Sequence, residues 1–219
     1  MARKNRENEF AVIGLGRFGI NLARRLEELG HPVLGIEHDP QLAKEVEDKI
    51  TEVFVLDATN PDALAEADIT SFKTVVVAIS NDFETNALIT SSLKSMGIPN
   101  IICLAGSSRH QEILLRIGAN RVVIPAKESG TYLADELSTP GLLNSLPLNP
   151  DYSLIEINVP AGIVGRKISE CEQYGVGVLL ILRGNELIQS PDGDAPLEPG
   201  DILVVVGNTK HLTEFSILT

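Results

Sequence analysis

The chain has 219 residues, 43% of them hydrophobic, with 18 Lys+Arg against 30 Asp+Glu and a formal net charge of −12. That length accommodates one or two domains with a sizeable core, and the acidic balance disfavours non-specific attraction to a nucleic-acid polymer or an anionic lipid surface. The longest apolar stretches, residues 75–79 and 176–182, fall far short of the roughly 18 residues of a membrane span, so a soluble protein is expected.

Residues 1–9, MARKNRENE, lack the apolar core of a signal peptide and read as a flexible charged tail. Residues 10–13 then form an apolar strand that runs directly into Gly14-Leu15-Gly16-Arg17-Phe18-Gly19. In a phosphate-binding turn the three glycines serve different ends. Gly14 permits the bend, Gly16 lets the backbone approach a pyrophosphate, and Gly19 allows close packing of helix on strand. The helix that follows, with Leu22, Leu26 and Leu29 at helical spacing, offers its unpaired N–H groups and positive dipole to an anion. Arg17 lies in that first turn, where a cation opposes the dipole unless an anion is bound, and is therefore a candidate phosphate contact.

The second half of the fingerprint is an acidic residue about twenty positions on, at the tip of the next strand, where it accepts hydrogen bonds from ribose hydroxyls. Residues 33–36 end in Glu37, and its carboxylate would repel a 2′-phosphate, so a nucleotide with a free 2′-hydroxyl is expected rather than NADP. His38 beside it is either an adenine neighbour or an exposed loop residue. Asp39 before Pro40 reads as a helix N-cap.

Residues 53–56 form a continuous apolar run, expected to be a strand buried on both faces. It ends in Asp57-Ala58-Thr59, at the carboxyl edge where open α/β sheets place ligands, with the small Ala58 leaving room for a base. Residues 74–79 make a fourth strand, and after Ala78 and Ile79 the run Ser80-Asn81-Asp82 puts small polar groups at the same edge, where Asp82 also reads as the cap of the next helix. A fifth strand at 100–104, a helix capped by Ser107 or Ser108 and a sixth strand at 121–124 complete a Rossmann-type doubly wound parallel α/β sheet. A helix over 128–137 follows, and prolines and glycines at 139–150 break regular structure.

Beyond that break the pattern changes to short strands. Ile155, Ile157 and Val159 alternate with polar residues, Gly184-Asn185 reads as a two-residue hairpin turn, and Pro199-Gly200 suits a type II turn that launches residues 202–206. The expected organisation is a tail at 1–9, a nucleotide-binding domain at 10–138, a linker at 139–150 and a small α+β domain at 151–219. The last is small enough to invite pairing with a second copy.

No catalytic constellation emerges. Tyr132, Tyr152 and Tyr174 are followed four residues on by Glu136, Glu156 and Val178, so none begins a Tyr-x-x-x-Lys pair. His31, His38, His110 and His211 share no metal-ligand spacing. Cys103 and Cys171 lack metal or redox spacing and read as buried thiols of a reducing cytoplasm.

These residues together, VIGLGRFG, Glu37, Asp57-Ala58-Thr59, IGANRVV before Pro125 and PGDILVVVG at 199–207, resemble the cytosolic regulatory subunits of bacterial Ktr/Trk potassium transporters. Such subunits join an N-terminal to a C-terminal RCK domain (TrkA-N and TrkA-C). The resemblance implies a homo-oligomeric ring docked on a membrane potassium-translocating subunit at the inner face of the plasma membrane. ATP and ADP are then the implied ligands, with NAD or NADH as alternatives. The implied site is Gly14, Gly16, Arg17, Phe18, Gly19, Glu37, His38, Asp57, Ala58, Thr59, Ala78, Ile79 and Ser80, with no catalytic or metal-ligating residue.

Two positions depart from the family pattern. Ala126-Lys127 follows Pro125 where relatives often carry an acidic residue near a divalent cation, and Leu104 stands where a basic residue is common. Some relatives bind cyclic di-AMP between C-terminal domains; residues 151–219 hold four Lys+Arg against ten Asp+Glu, a net of −6 that disfavours a dianion. The competing classes are an NAD-dependent oxidoreductase with an unrecognised site and a free nucleotide sensor.

Overall fold

The computed structural model describes residues 6–218. The chain divides after Ala126 into two compact units. In the first, the strands are β1 (Arg6–Ile13), β2 (Val33–Glu37), β3 (Glu52–Val55), β4 (Phe72–Val77), β5 (Asn100–Leu104) and β6 (Arg121–Val123). The helices are α1 (Arg17–Glu28), α2 (Pro40–Val46), α3 (Pro61–Glu66), α4 (Phe83–Ser95) and α5 (Ser108–Ile117), with α6 (Pro125–Ser138) starting two residues before the division. All six strands are parallel, in the order β3-β2-β1-β4-β5-β6. This is the doubly wound order, in which the strand sequence reverses between β1 and β4.

Strand alternation divides the core between the two faces of this sheet. Ala11 and Ile13 of β1 and Val75 and Val77 of β4 join one buried cluster with Leu64, Ile89, Leu93 and Leu114 from the helices. Val12 and Val76 join another with Leu15, Ala23 and Val46. Leu22 and Leu26 of α1 pack against the second cluster, whereas Leu29, the C-cap residue, is exposed.

Two local expectations change. Residues 6–9, expected within a charged tail, belong to β1, where Arg6 pairs with Phe72; backbone pairing with β4 outweighs a polar sequence. The remainder of the expected tail lies outside the described residues. The strand expected to be buried on both faces, β3, is the outermost of the sheet, so Val55 is 52% exposed.

The second unit contains β7 (Leu142–Pro147), β8 (Tyr152–Asn158), β9 (Val176–Arg183), β10 (Glu186–Gln189), β11 (Ile202–Asn208) and α7 (Thr209–Ser216). They build an antiparallel sheet in the order β10-β9-β11-β8-β7. Ser153, Ile155 and Ile157 face inward from β8 and Leu203 and Val205 from β11, with Leu212 and Phe215 of α7 laid over them. Arg183 pairs with Glu186 across the expected two-residue turn, and Gly200 has φ +85°, as a type II turn requires.

The stretch expected to lack regular structure contains β7, which pairs with β8 from Leu142 to Pro147. An outer strand needs ladder bonds on one side only, so it tolerates a proline that a central strand would reject. Cys103 and Cys171 are free and buried in their separate units, and burial raises both thiols, Cys171 to about 11.

The tightest polar contact of the second unit is a clamp. Asp201, 1% exposed, accepts from Arg183 Nε and Nη2, both at 2.8 Å, and from the Glu198 N–H at 2.8 Å. Arg183 also pairs with Glu198 and donates to the Pro196 carbonyl. Burial alone would raise the Asp201 carboxyl. The Arg183 hydrogen bonds and charge, with the Glu198 N–H, outweigh it and hold the group below its ordinary value.

Candidate functional site

A cleft of about 580 Å³ opens at the carboxyl edge of the parallel sheet, beside the β1/β4 reversal. Open α/β sheets bind ligands at such a switch point. The turn after β1 forms its floor. Gly14 bends at φ +91° and donates to the Ile36 carbonyl at 2.8 Å, and Ala78 N donates to the Ile13 carbonyl at 2.7 Å. A Cβ on Gly14 would lie 2.9 Å from Ile79 Cγ1, and one on Gly19 would overlap the Gly14 carbonyl oxygen. Leu15 is fully buried, and a Cβ on Gly35 would lie 2.8 Å from its Cδ1. The turn is thus anchored from below by Leu15, a contact that no turn motif signals.

Gly16 differs from these. Its φ is −63°, open to any residue, and a Cβ there meets nothing within 4 Å. The fold does not require this glycine, and the place it holds is the one where such turns let a ligand approach the backbone closely.

Gly16 is also the N-cap of α1, and among the described residues no side chain caps that helix and no acid lies in its first turn. Asp39, Asn60, Asp82, Ser107 and Asn208 cap α2, α3, α4, α5 and α7 through their side chains. The first intrahelical bond runs from Ile20 N to the Gly16 carbonyl, which leaves the N–H groups of Arg17, Phe18 and Gly19 without intrahelical acceptors. An anion is the natural complement of that arrangement.

Three carboxylates also line the cleft. Glu37, half-buried, accepts from Leu15 N at 2.7 Å, His38 N at 2.8 Å and Asp39 N at 3.1 Å. A carboxylate has about four acceptor positions, so one is left for a hydroxyl donor. Asp57 accepts from the Thr59 hydroxyl at 2.7 Å and the Thr59 N–H at 2.9 Å, and these bonds, the hydroxyl first, hold its carboxyl below the ordinary value. Asp82 accepts from Thr85 N at 3.0 Å and its hydroxyl at 2.7 Å and is lowered likewise, by the N–H first.

Of the residues expected from sequence, Gly14, Gly16, Glu37, His38, Asp57, Ala58, Thr59, Ala78 and Ile79 line this cleft. Four do not. Arg17 and Phe18 are exposed on α1, so the turn offers their backbone rather than their side chains, and Gly19 is buried beneath it. Ser80 turns its carbonyl towards Gly106, 3.1 Å from where a Cβ would stand, and leaves the wall to Asn81 and Asp82. Leu42, Leu56 and Thr85 line the cleft without a sequence signal, whereas Asn81 and Asp82 were expected with Ser80 as small polar groups at the end of β4. No Lys or Arg lines it, and among the described residues no group of three or more His, Cys, Asp or Glu could hold a metal ion.

The TrkA-N domain family matches residues 10–125 and the TrkA-C domain family residues 153–216. The chain is 30% identical over 213 residues to the Ktr system potassium uptake protein A of Bacillus subtilis (strain 168), covering 96% of each chain. It is also 30% identical over 212 residues to the protein of that name from Vibrio alginolyticus, covering 95% of this chain and 96% of the relative. Among solved structures, a GsuK channel bound to NAD superposes with a TM-score of 0.67 at 19% identity, over 97% of this chain and 39% of the channel chain. That likeness is one of fold, and this chain spans less than half of the channel's length. The NAD(P)-binding domain of an exopolyphosphatase-related protein from Archaeoglobus fulgidus superposes with a TM-score of 0.54 at 25% identity, over 60% of this chain and 98% of that domain.

Proposed function

The chain belongs to the family that joins a TrkA-N to a TrkA-C domain, and from that membership we propose that it is the nucleotide-sensing regulatory subunit of a membrane potassium transporter. ATP and ADP, or alternatively NAD and NADH, bind in the cleft at the carboxyl edge of the parallel sheet. The phosphates sit over Gly16 and the free amides of α1, and the ribose hydroxyls meet the remaining acceptor position of Glu37. The observation that carries this reading is Gly16, a glycine the fold does not need, at the head of a helix that, unlike α2, α3, α4, α5 and α7, no side chain caps.

With no Lys or Arg among the lining residues, phosphate charge is met by backbone N–H groups and the helix dipole. The role is regulatory rather than catalytic: Asp57 and Asp82 are tied to Thr59 and Thr85, and most of Glu37's acceptor capacity holds the turn. Residues 10–138 act as the sensing domain and 151–219 as the C-terminal RCK domain. A ligand shifts such a protein only by its differential affinity for two conformations.

The working form is a homo-oligomeric ring docked on a potassium-translocating partner at the inner membrane face. Helix α6 supports the assembly: none of its 14 residues is buried, and Leu133 and Leu137 are 52% and 78% exposed. A helix of that length is marginal without a packing partner, and a second copy supplies one.

Calorimetry with ATP, ADP and NAD tests the site on the wild type and on Gly16→Ala. The variant should fold as the wild type does yet bind about ten-fold or more weakly, equivalent to at least one lost charge-assisted contact. A wild type that binds none of the three nucleotides overturns the reading, as does a Gly16→Ala protein that binds them unchanged.

A further inference from the structure

Asn86 stands on α4 beneath the cleft wall and is 1% exposed. Its Nδ2 donates to two carbonyl oxygens, those of Ile79 at 2.5 Å and Leu104 at 2.9 Å. Both neighbours are acceptors, which fixes the orientation of the amide. The last paired residues of β4 and β5 are Val77 and Cys103, so the two carbonyls lie just beyond the end of that ladder. The Leu104 carbonyl is buried and the Ile79 carbonyl part-buried, so each needs a donor beyond the paired residues, and Asn86 supplies it to both. Asn86 continues the ladder by one rung.

The carbonyl it holds belongs to the cleft. Ala78, Ile79, Asn81 and Asp82 line the wall, and Ile79 Cγ1 and the Ala78 carbonyl press on Gly14 of the phosphate turn. On the other side, Leu104 leads into Ala105-Gly106, and Gly106 is where the Ser80 carbonyl rests. Thr90 steadies the amide from behind: its hydroxyl donates to the Asn86 carbonyl at 2.7 Å and lies 3.1 Å from Asn86 Oδ1 and 3.1 Å from Cys103 Sγ.

We infer that Asn86 is a positioning residue of the nucleotide site, whose amide holds the 78–82 wall against the phosphate turn and ties that wall to the 104–106 loop. This rests on the nucleotide reading above. Asn86 touches no ligand; it sets where Ile79 and the wall stand, and it makes the end of β5 respond when the cleft is filled. A side chain without donors leaves the buried Leu104 carbonyl and the part-buried Ile79 carbonyl unpaired and lets the wall move away from Gly14.

The test compares Asn86→Asp and Asn86→Ala with Asn100→Ala. Asn100 Nδ2 bonds the Thr74 hydroxyl at 3.1 Å, at the opposite end of the same strand pair. ADP and ATP affinities are read by calorimetry well below each variant's melting temperature. Both Asn86 variants should bind about ten-fold or more weakly, while Asn100→Ala keeps wild-type affinity whatever its stability. Equal affinities in folded Asn86 variants and wild type, or an equal loss in Asn100→Ala, overturn the inference. Should the Asn86 variants not fold, wild-type hydrogen exchange decides: added ADP should slow exchange in 78–82 and 104–106 together, and protection confined to 78–82 overturns it. A wild type that binds no nucleotide fells the nucleotide reading itself and is told apart from these outcomes by that measurement alone.

Discussion

Two carboxylates, one in each unit, show how the same group is used to close a structure or to leave it open. Asp201 and Glu37 each accept three hydrogen bonds. Around Asp201, two of the donors belong to a guanidinium and the group is 1% exposed, so charge, geometry and burial are all satisfied within the protein. Around Glu37 all three donors are backbone N–H groups, no Lys or Arg joins it in the cleft lining, and the space beside it is open. A carboxylate neutralised by its own protein is a fastener. One held only by dipoles keeps its charge available to hydroxyl donors.

The largest effect is expected where the fastener is broken. In Arg183→Met, Asp201 stays buried without its cation, which should cost about 3 kcal/mol at pH 7, the low end for a buried pair because the Arg183 side chain is 29% exposed. Tyrosine fluorescence during urea unfolding reads this cleanly, since Tyr132, Tyr152 and Tyr174 all follow Ala126 and the chain has no Trp. The pH dependence sharpens the test. With its folded pKa below the ordinary 3.8, Asp201 contributes stability that is complete above that value and is lost as pH falls through the folded pKa. In the variant, burial dominates and reverses the sign, so protonation helps it. The gap between the two proteins should therefore begin to narrow above pH 3.8, as the variant's raised carboxyl protonates, and go on narrowing below it as the wild type's does. A gap under about 1 kcal/mol at pH 7 would place this pair among ordinary surface ion pairs.

Glu37 comes next, and its variants must separate ribose from turn. Glu37→Ala removes the acceptor of three N–H groups and should lower both stability and affinity. Glu37→Gln keeps the shape and an acceptor for part of that set but replaces a charged acceptor by a neutral amide. It should lose about 1.5 to 3 kcal/mol of nucleotide binding, roughly ten- to a hundred-fold, with a smaller loss of stability. The comparison fails if Glu37→Gln binds ADP as tightly as wild type, for Glu37 would then be a second fastener that happens to face a cleft.

What could be read in the sequence follows from how local each signal is. Asp39, Asp82 and Ser107 each bond an N–H within three residues, so pattern alone located these helix starts. The contact of Gly19 with the Gly14 carbonyl lies within one turn, and the alternation of Ile155 and Ile157 with Glu156 and Asn158 marked the inward face of β8, whereas the contact of Gly14 with Ile79 is between distant residues. The missing parts depended on distant partners. The polar residues 6–9 are strand because Phe72 pairs with Arg6, and β7 exists because β8 offers it an edge. Glu37 was legible as an acidic residue at the tip of β2, but its bond to Leu15, 22 residues away, was not. Nor was the choice between Ser80 and Asn81 for the cleft wall, which turns on Gly106.

Arg17 is expected to show the smallest effect, and its sign separates a sensor from a bystander. Its guanidinium is exposed at the start of α1, has no ion-pair partner among the described residues and does not line the cleft. In the unliganded protein a cation there opposes the helix dipole, so Arg17→Ala should leave stability unchanged or raise it by about 0.3 to 1 kcal/mol at low salt. If ATP binds as proposed, with its pyrophosphate over Gly16, the balance reverses, because the γ-phosphate then extends beyond it and a long, flexible guanidinium gains an anion. Being exposed, that contact is screened, and its loss should reduce the ATP:ADP affinity ratio by only a few-fold, with the difference shrinking as salt rises. Dissociation constants for both nucleotides at two ionic strengths, in both proteins, decide the matter. If ADP and ATP weaken equally, Arg17 supports the general anion site and does not read the third phosphate. If neither changes, discrimination belongs to the backbone amides of α1 or to a group that a second copy contributes.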